Sequence, residues 1–406
     1  MAQISTPTVA PRMGQTEFIA LIAVLFATIA FSIDAMLPAL PEIAAELSPD
    51  APNAAQLILT AFVLGMGIGT LFAGPLSDAF GRRPVILAGA ALYCGAALVA
   101  YVSPTLEGVL IARLLQGLGS AGPRVVSLAL VRDLYKGREM ARVVSFAMMI
   151  FTLVPAIAPF IGQGIIWLAG WRAIFLAFVV FSALSILWFW LRQPETVPKA
   201  ARHPLRWQTL RAAFVEVVSH RVVVVSIAVQ TLVFACLFST LSATQPILDQ
   251  VYGEGDRFPL WFALIALLSG TASFINARLV VRLGMRRMIA TTLAAQVVFS
   301  TLMLAAKAGG IWPPALAFPA HLLWTTGVFF MVGLTVGNLN ALGLEPVGHI
   351  AGMAASVIGA VATVASVLLA APVGLMFDGT AYPLMAGVAV FAAGGWGLMR
   401  LIPRQA

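Results

Sequence analysis

The chain has 406 residues, of which 61% are hydrophobic and 10% are charged. Soluble globular domains carry roughly 25% charged residues. This composition, with a mean hydropathy of +0.97, therefore excludes a water-soluble enzyme of this length and a nucleic-acid-binding domain. The formal net charge of +8 says nothing about partners until the charges are assigned to a side of the membrane. Two cysteines far apart in the sequence indicate neither a disulfide framework nor a metal or redox site.

Charge-free segments predict twelve membrane-spanning helices. A helix needs about 20 apolar residues to cross the hydrocarbon layer, and eleven windows without Asp, Glu, Lys or Arg lie between Phe18 and Met399. A twelfth window, Glu107–Val131, is apolar except for Arg113 and Arg124. We expect the first window to be retained as a helix and not removed as a signal peptide, because eleven further spans follow it.

Basic residues concentrate in alternate loops, as the positive-inside rule expects of cytoplasmic loops. Nineteen of the 24 Lys and Arg residues fall on one side of the predicted topology, three fall on the other side, and two lie inside the fourth span. The side with three basic residues carries eight acidic ones. We therefore predict that the nineteen basic residues and both chain termini are cytoplasmic.

The longest polar segment, residues 192–220, lies near the midpoint of the chain. We predict that it is a cytoplasmic linker between an N-terminal six-helix bundle (1–191) and a C-terminal six-helix bundle (221–406). Apolar residues at roughly helical spacing from Leu205 to Val217 predict either a short amphipathic helix on the inner membrane surface or the cytoplasmic start of the seventh span. The spacing alone does not separate these two readings.

A weak internal repeat supports the division into halves. The segment Gly81–Arg83, after the second span, recurs as Gly284–Arg287 after the eighth span, 203 residues later. Likewise, Ala158–Pro159 in the fifth span has a counterpart in Ala371–Pro372 in the eleventh. This spacing agrees with the hydropathy pattern and indicates a duplication. The predicted fold class is an all-α integral membrane protein with twelve transmembrane helices in two pseudo-symmetric six-helix bundles.

The most specific motif is the segment 74–84, Gly-Pro-Leu-Ser-Asp-Ala-Phe-Gly-Arg-Arg-Pro, between the second and third spans on the cytoplasmic side. Its internal glycine permits a tight reversal of the chain. Its aspartate can engage a helix end or an arginine, in a contact that is made in one conformation and broken in another. We predict a cytoplasmic gate loop formed by Gly74, Asp78, Gly81, Arg82 and Arg83.

This loop resembles the signature loop of the major facilitator superfamily, although Ala79 stands where an arginine is usual. Further segments in the first half narrow the resemblance to the Bcr/CflA branch of drug–proton antiporters. The resemblance implies a transporter that exports small amphipathic drugs or related metabolites from the cytoplasm by alternating access, driven by inward proton flow. The five segments are Asp34–Pro41, Arg113–Gly117, Arg132–Tyr135, Pro155–Pro159 and Gly170–Arg172.

The antiporter motif of the fifth span is usually written Gly-Pro-x-x-Gly-Gly, and here it reads Ala158-Pro159-Phe-Ile-Gly162-Gln163, with two departures. We take Pro155, Pro159 and Gly162 as the residues of this motif. The resemblance implies no cofactor, and its partners are a small-molecule substrate, protons and the lipid bilayer, with no nucleic acid. We expect a monomer in a bacterial-type inner (plasma) membrane.

Charged residues inside the spans point to the mechanism, because an ionisable group there is expensive and by default faces a cavity, a partner or a proton path. Asp34 and Arg113 lie at similar depths in the outer half of the bilayer, so the geometry allows an electrostatic relation between them across a central cavity. Arg124 follows Arg113 by eleven residues, which returns to nearly the same helix face, and Gln116 and Ser120 lie between them. We predict these five residues as the substrate cavity, and Asp34 with Arg113 as the proton-coupling pair.

Each assignment has a simpler alternative. Asp34 could be an interfacial residue at the outer membrane boundary, and Arg124 could make a static contact near the inner leaflet. Burial and a nearby arginine act in opposite directions on the proton affinity of a carboxyl group. A carboxyl under both influences is suited to a proton switch, which is why we favour the coupling hypothesis for Asp34.

Two other function classes stay open at this point. A proton-coupled importer of a small nutrient has the same architecture and differs in the direction of substrate flow. A membrane-embedded enzyme would need a nucleophile with a histidine or paired carboxylates. The chain has no GxSxG or HExxH motif, and His321 is its only intramembrane histidine, so we predict no catalytic or metal site. The GxGxxG match at Gly117–Gly122 lies inside a span without a preceding strand, and we expect these glycines to allow close helix packing.

Overall fold

A computed structural model of the chain describes residues 13–202, 207–310 and 313–402. Within these ranges all regular secondary structure is helical. Arg12, Arg206 and Arg404, three of the nineteen basic residues predicted to be cytoplasmic, lie outside the described residues, as do both chain ends. The helices are α1 Gln15–Asp34, α2 Leu40–Leu47, α3 Leu57–Phe80, α4 Arg82–Val102, α5 Leu106–Leu134, α6 Gly137–Ala169, α7 Ala173–Arg192, α8 Trp207–Ser219, α9 Arg221–Pro246, α10 Phe258–Leu283, α11 Met285–Ala308, α12 Pro314–Leu344, α13 Ala351–Leu375 and α14 Tyr382–Met399.

Twelve of these helices are long and apolar, and two, α2 and α8, are short. Among the described residues, eleven helical stretches are long and apolar enough to cross a membrane. One of the eleven, Ala315–Leu375, spans 61 residues and contains both α12 and α13, which a short 3-10 segment at Glu345–Ile350 separates. The prediction of twelve membrane helices is therefore confirmed.

The twelve membrane helices form two groups of six that correspond to the two halves of the chain. In the first group, α1 packs against α6 and α7, and α5 packs against α3 and α4. In the second group, α9 packs against α12, α13 and α14, and α11 packs against α12 and α14. The two groups meet mainly where α3 contacts α13 and where α6 contacts α10. The predicted fold class is confirmed.

The segment between the halves contains a separate helix. α7 ends at Arg192 and α9 begins at Arg221, with α8 between them. His220 is extended (φ −89°, ψ 115°) and interrupts the helical backbone before α9. Of the two readings of this segment, the fold therefore favours a short independent helix, although Leu205 lies outside the described residues. The linker bounds 192–220 stay a prediction.

The internal repeat is visible in the backbone of two tight turns. Gly81 (φ 102°, ψ 159°) joins α3 to α4, and Gly284 (φ 77°, ψ 152°) joins α10 to α11. Glycine is essentially the only residue that adopts this conformation. The same rare geometry therefore recurs at the spacing of the sequence repeat.

Glycines bring α3 and α5 into close contact. A Cβ atom on Gly117 would overlap the carbonyl oxygen of Phe62, and one on Gly65 would overlap the carbonyl oxygen of Leu114. Larger side chains at either glycine would force the two helices apart. The expectation that the GxGxxG match serves helix packing is borne out at Gly117.

The halves are also joined where α3 begins and α13 ends. The Asn53 side-chain amide, just before α3, donates hydrogen bonds to the carbonyl oxygens of Leu375 (3.1 Å) and Phe377 (2.7 Å) at the end of α13. Leu241 of α9 and Leu248, just after it, belong to the same apolar cluster as the end of α1. The first helix therefore ends at a junction between the two halves.

Candidate proton and substrate site

Asp34 is the last residue of α1, a helix that is buried along most of its length. The chain then continues into a 3-10 turn at Leu37–Ala39. Asp34 is only 5% exposed. Within the described ranges, no hydrogen bond or ion pair reaches its carboxylate. Protein encloses this side chain, so the fold does not support the alternative in which Asp34 is an interfacial residue.

The segment around Asp34 packs against both halves of the chain. Its neighbours Ile33 and Leu37 share one buried apolar cluster with Leu241 and Leu248 of the second half. A carboxyl group at such a junction is sensitive to the relative position of the halves, because any rearrangement of the junction changes its surroundings.

The fifth-span motif contacts this same segment. A Cβ atom on Gly162 of α6 would overlap the carbonyl oxygen of Ala35, the residue after Asp34. Pro159 is buried and Pro155 is half-buried on the same helix. The glycine of the motif is therefore the point at which α6 reaches the backbone beside Asp34.

Arg113 of α5 is fully buried and bonds to backbone and amide oxygens. Its Nη2 donates to the carbonyl oxygen of Ser32 (2.9 Å), and its Nη1 donates to Oε1 of Gln116 (2.7 Å). Its guanidinium also lies over the ring of Phe62, 4.3 Å from the centroid. Carbonyl dipoles and aromatic faces both stabilise a buried cation, so this arginine fastens α1, α3 and α5 together.

Arg113 and Asp34 do not form an ion pair in the part of the chain that the structure describes. The guanidinium instead bonds to the backbone of Ser32, two residues before Asp34. In this conformation Arg113 is therefore connected to Asp34 only through the backbone of the last turn of α1.

Hydroxyl groups extend the polar cluster away from Arg113. The Ser32 hydroxyl donates to the carbonyl oxygen of Thr28 (2.6 Å) and contacts the hydroxyl of Tyr93 on α4. A cavity of about 10 Å³, lined in part by Tyr93, Ser120 and Ser182, lies beside this contact. Its volume is close to the minimum that holds one water molecule. The fold thus brings Ser120 to the edge of the Arg113 cluster.

Arg124 lies apart from this cluster. Its side chain is exposed, and its Nη1 is 3.4 Å from the sulfur of Met66 on α3. No carboxylate among the described residues pairs with it. The predicted polar face of α5 therefore consists of a buried part at Arg113, Gln116 and Ser120 and an exposed part at Arg124.

The gate loop is organised around Arg82. Its guanidinium donates to Asp78 of α3 (2.5 Å), to Asp133 of α5 (3.1 Å) and to the hydroxyl of Ser77 (2.7 Å). Asp78 thus engages an arginine, one of the two contacts expected from the motif. A single side chain ties the end of α3, the start of α4 and the end of α5.

A carboxylate from beyond α7 completes the loop. Glu195 accepts hydrogen bonds from the backbone N–H groups of Arg82 (2.9 Å) and Arg83 (3.0 Å) at the start of α4. Unpaired N–H groups and the helix dipole make a helix N-terminus a favourable place for a carboxylate. Arg83 also donates to the carbonyl oxygen of Trp190 in α7 (2.7 Å). The segment after α7 is therefore held against the gate loop.

The gate loop also touches the second half. A Cβ atom on Gly74 would lie 3.3 Å from the hydroxyl of Ser356 on α13, and one on Gly352 would lie 3.8 Å from the guanidinium of Arg132 on α5. The C-terminal ends of α3 and α5 therefore meet the start of α13.

A family model described as Major Facilitator Superfamily matches residues 20–371. The chain belongs to the major facilitator superfamily. It is accordingly a multi-pass membrane transporter of small molecules and not an enzyme. The motif-based resemblance stated above is confirmed.

Relatives of this superfamily chain include proteins named for drug resistance. A bicyclomycin resistance protein homolog from Haemophilus influenzae is 32% identical over 374 residues, which cover 91% of each chain. The multidrug resistance protein MdtL from Shigella dysenteriae is 29% identical over 354 residues, covering 84% of this chain and 85% of the relative. The solved structure of the xylose transporter XylE from E. coli is similar in fold, with a TM-score of 0.72 at 13% identity over 96% of this chain and 98% of that one.

Several residues of the site escape prediction from the superfamily motifs alone. Glu195 carries a signal, since it is the one acidic residue between Arg192 and Lys199 in an otherwise basic segment. Ser32 and Tyr93 carry none, because hydroxyl residues are common in membrane helices. Their roles follow only from the contact between α1 and α4.

Proposed function

We propose that the chain is a proton-coupled exporter of small amphipathic drugs or related metabolites, with Asp34 as the coupling carboxyl. The observation that carries the proposal is a carboxyl group buried inside the membrane domain without a hydrogen bond or an ion pair among the described residues. The names of the two curated relatives, which refer to bicyclomycin and multidrug resistance, support drugs as the substrate class.

The proposed cycle uses Asp34 as a switch. In the outward-open state Asp34 takes a proton from outside, which weakens its hold on a cationic or hydrogen-bonded substrate and permits return to the inward-open state. In the inward-open state it releases the proton to the cytoplasm and can again hold substrate. Each proton that enters gains about 2.3 kcal/mol per 100 mV of membrane potential.

Arg113 and the fifth-span motif have supporting roles in this proposal. Arg113 holds the last turn of α1 through the Ser32 carbonyl, and Gly162 sets the distance between α6 and Ala35. Gln116, Ser120 and Arg124 complete the proposed substrate cavity on α5.

The cytoplasmic gate is proposed to open and close where α3 meets α13, with the first-half side of that contact held together by Arg82. The contacts of Arg82 with Asp78 and Asp133 tie α3, α4 and α5 into one unit, and Gly74 meets α13 beside that unit. Separation of α3 from α13 would then open the inner side without breaking the ion pairs. We further propose a monomer in a bacterial inner membrane, with both termini and the segment 192–220 in the cytoplasm.

Transport in everted membrane vesicles tests this proposal. Vesicles containing the wild-type protein should accumulate a fluorescent cationic drug when their interior is acidified, and dissipation of the pH gradient should release the drug. Asp34→Asn should abolish this accumulation at an equal amount of folded protein, whereas Glu107→Gln, a change at an exposed residue at the outer end of α5, should leave it unchanged. Undiminished accumulation by Asp34→Asn would contradict the role of Asp34, and substrate movement out of energised everted vesicles would favour the importer.

A further inference from the structure

Two grooves on the membrane-facing surface are related by the internal repeat. The first groove lies between α3, α4 and α5 and has a volume of about 560 Å³, and the second lies between α10, α11 and α12 and has a volume of about 420 Å³. Both are lined mainly by apolar side chains. Their walls use equivalent positions 203 residues apart: Leu76 and Leu279, Phe80 and Leu283, Val85 and Met288.

At the cytoplasmic end of the first groove, carboxylates neutralise the positive charge. Arg82, beside Phe80, is bonded to Asp78 and Asp133, and Glu195 caps the start of the helix that follows. An added anion at this end would meet three carboxylates.

The cytoplasmic end of the second groove has no such compensation. Val281 and Met285 occupy the positions equivalent to Asp78 and Arg82, and residues 258–308 contain four arginines at this end and no Asp or Glu. Arg282 and Arg287 are exposed. Within the described residues neither guanidinium group has a hydrogen bond or an ion pair.

Arg282 and Arg287 each lie one residue from the lining of the second groove. Arg287 directly precedes Met288, which lines the groove, and it is equivalent in the repeat to Pro84, which lines the first groove. Arg282 directly precedes Leu283 on the opposite wall. An apolar groove between membrane helices, with two exposed guanidinium groups on residues next to its lining, matches the two parts of an anionic phospholipid.

We propose that the second groove binds an anionic phospholipid of the cytoplasmic leaflet, with an acyl chain between α10 and α11 and the phosphate group at Arg282 and Arg287. Apolar contact with the groove supplies binding to any phospholipid of similar chain length, and the two arginines supply the preference for negative charge. A basic residue near an anionic leaflet strengthens binding about five-fold. This site lies outside the proposed proton and substrate site and does not depend on it.

Lipid binding to the purified, delipidated full-length protein tests this proposal. Native mass spectrometry should give binding of phosphatidylglycerol at least about ten-fold tighter than binding of phosphatidylcholine with the same acyl chains. The double variant Arg282→Gln/Arg287→Gln should lower that preference at least about five-fold. The matched variant Arg138→Gln/Arg142→Gln, which removes two exposed cytoplasmic arginines from α6, should leave the preference unchanged.

The groove itself is tested by a change that leaves the charges in place. Ala295→Trp, at an exposed position of the groove wall, should weaken binding of both lipids, whereas Ala88→Trp in the first groove should not alter the preference for phosphatidylglycerol. A phosphatidylglycerol with a photoreactive acyl chain should crosslink to peptides within residues 279–295. Equal binding of the two lipids, an equal effect of the α6 control, or crosslinks confined to the first groove would each overturn the proposal.

Discussion

The glycine turns of the two halves share a backbone conformation and differ in the chemistry of the residues around them. Each half has a glycine turn of the same rare conformation between its second and third membrane helices. In the first half Arg82 lies between Asp78 and Asp133, while in the second half Val281 and Met285 occupy the positions of Asp78 and Arg82. The repeat has therefore kept the geometry of the turn and not its ion pairs.

The same contrast holds inside the membrane. The first half places Asp34, Arg113 and Arg124 within or at the end of spanning helices. In the second half, a buried hydrogen bond joins Trp324 Nε1 to the hydroxyl of Ser300 (3.0 Å), and neither group titrates in the physiological range. Our proposal accordingly places proton coupling in the first half.

The largest effect is expected at Gly162, where α6 contacts the backbone next to Asp34. Gly162→Ala places a methyl group against the Ala35 carbonyl and should cost about 1–3 kcal/mol of stability and most of the transport activity. Gly164→Ala on the same helix, where a Cβ meets nothing within 4 Å, should be neutral or stabilising by up to about 1 kcal/mol. Thermal unfolding midpoints and drug transport of the two variants check this. Equal behaviour of the pair would show that contact with Ala35 is unimportant.

The two glycine turns allow a direct comparison of the halves. Alanine at either Gly81 or Gly284 should cost about 1–3 kcal/mol, because both have a conformation that is nearly exclusive to glycine. Gly81→Ala should cost more, since its Cβ would lie 2.5 Å from a Glu195 carboxylate oxygen and 2.8 Å from Arg202 Nη2, while the Cβ of Gly284→Ala meets nothing within 4 Å. Unfolding midpoints measured side by side decide between this order and its reverse.

Replacement of Arg82 by methionine gives the first half the residue, Met285, that the second half has at the equivalent position. Arg82→Met should cost about 1–2 kcal/mol and reduce transport several-fold, because Asp78 and Asp133 lose their shared partner. Arg82→Lys keeps the charge but loses the forked geometry, so it should recover part of the activity. Met285→Ala serves as the matched variant in the second half. A gate unaffected by Arg82→Met would remove the functional meaning of the contrast.

The smallest expected effect concerns the cap on α4. Glu195→Gln should cost about 0.5–1 kcal/mol, because the neutral amide interacts less favourably with a helix N-terminus. Glu216→Gln, in α8, changes the same functional group away from the gate loop, where the carboxylate pairs with His349. Transport rates should fall more for Glu195→Gln than for Glu216→Gln. The opposite order would show that the Glu195 cap on α4 does not contribute to gating.

The predictable features are those whose signal is local in the sequence. Hydropathy windows gave the twelve membrane helices, and glycine next to arginine marked the turn at Gly81. The cost of an intramembrane charge singles out Asp34 from the sequence alone. Glu195 could not be assigned in this way, because its partners at the start of α4 lie 112 and 113 residues away.

The sequence also does not predict which atoms the Arg113 guanidinium bonds to. Similar depth in the bilayer allowed a pairing of Arg113 with Asp34, but the guanidinium bonds to the Ser32 carbonyl and to Gln116. Spacing along helices determines which residues lie at the same depth in the bilayer. It does not fix which of several oxygens at that depth a long side chain meets, since that depends on rotamers and helix packing.

Proton movement in proteoliposomes tests the role of Asp34 most directly. With a pH-sensitive dye trapped inside, addition of a transported drug to one side should drive a proton flux in the opposite direction through the wild-type protein. Asp34→Asn, reconstituted at the same density, should show no drug-dependent proton flux. Drug-dependent proton flux by Asp34→Asn at the wild-type proton-to-drug ratio would contradict the assignment of Asp34 as the coupling carboxyl.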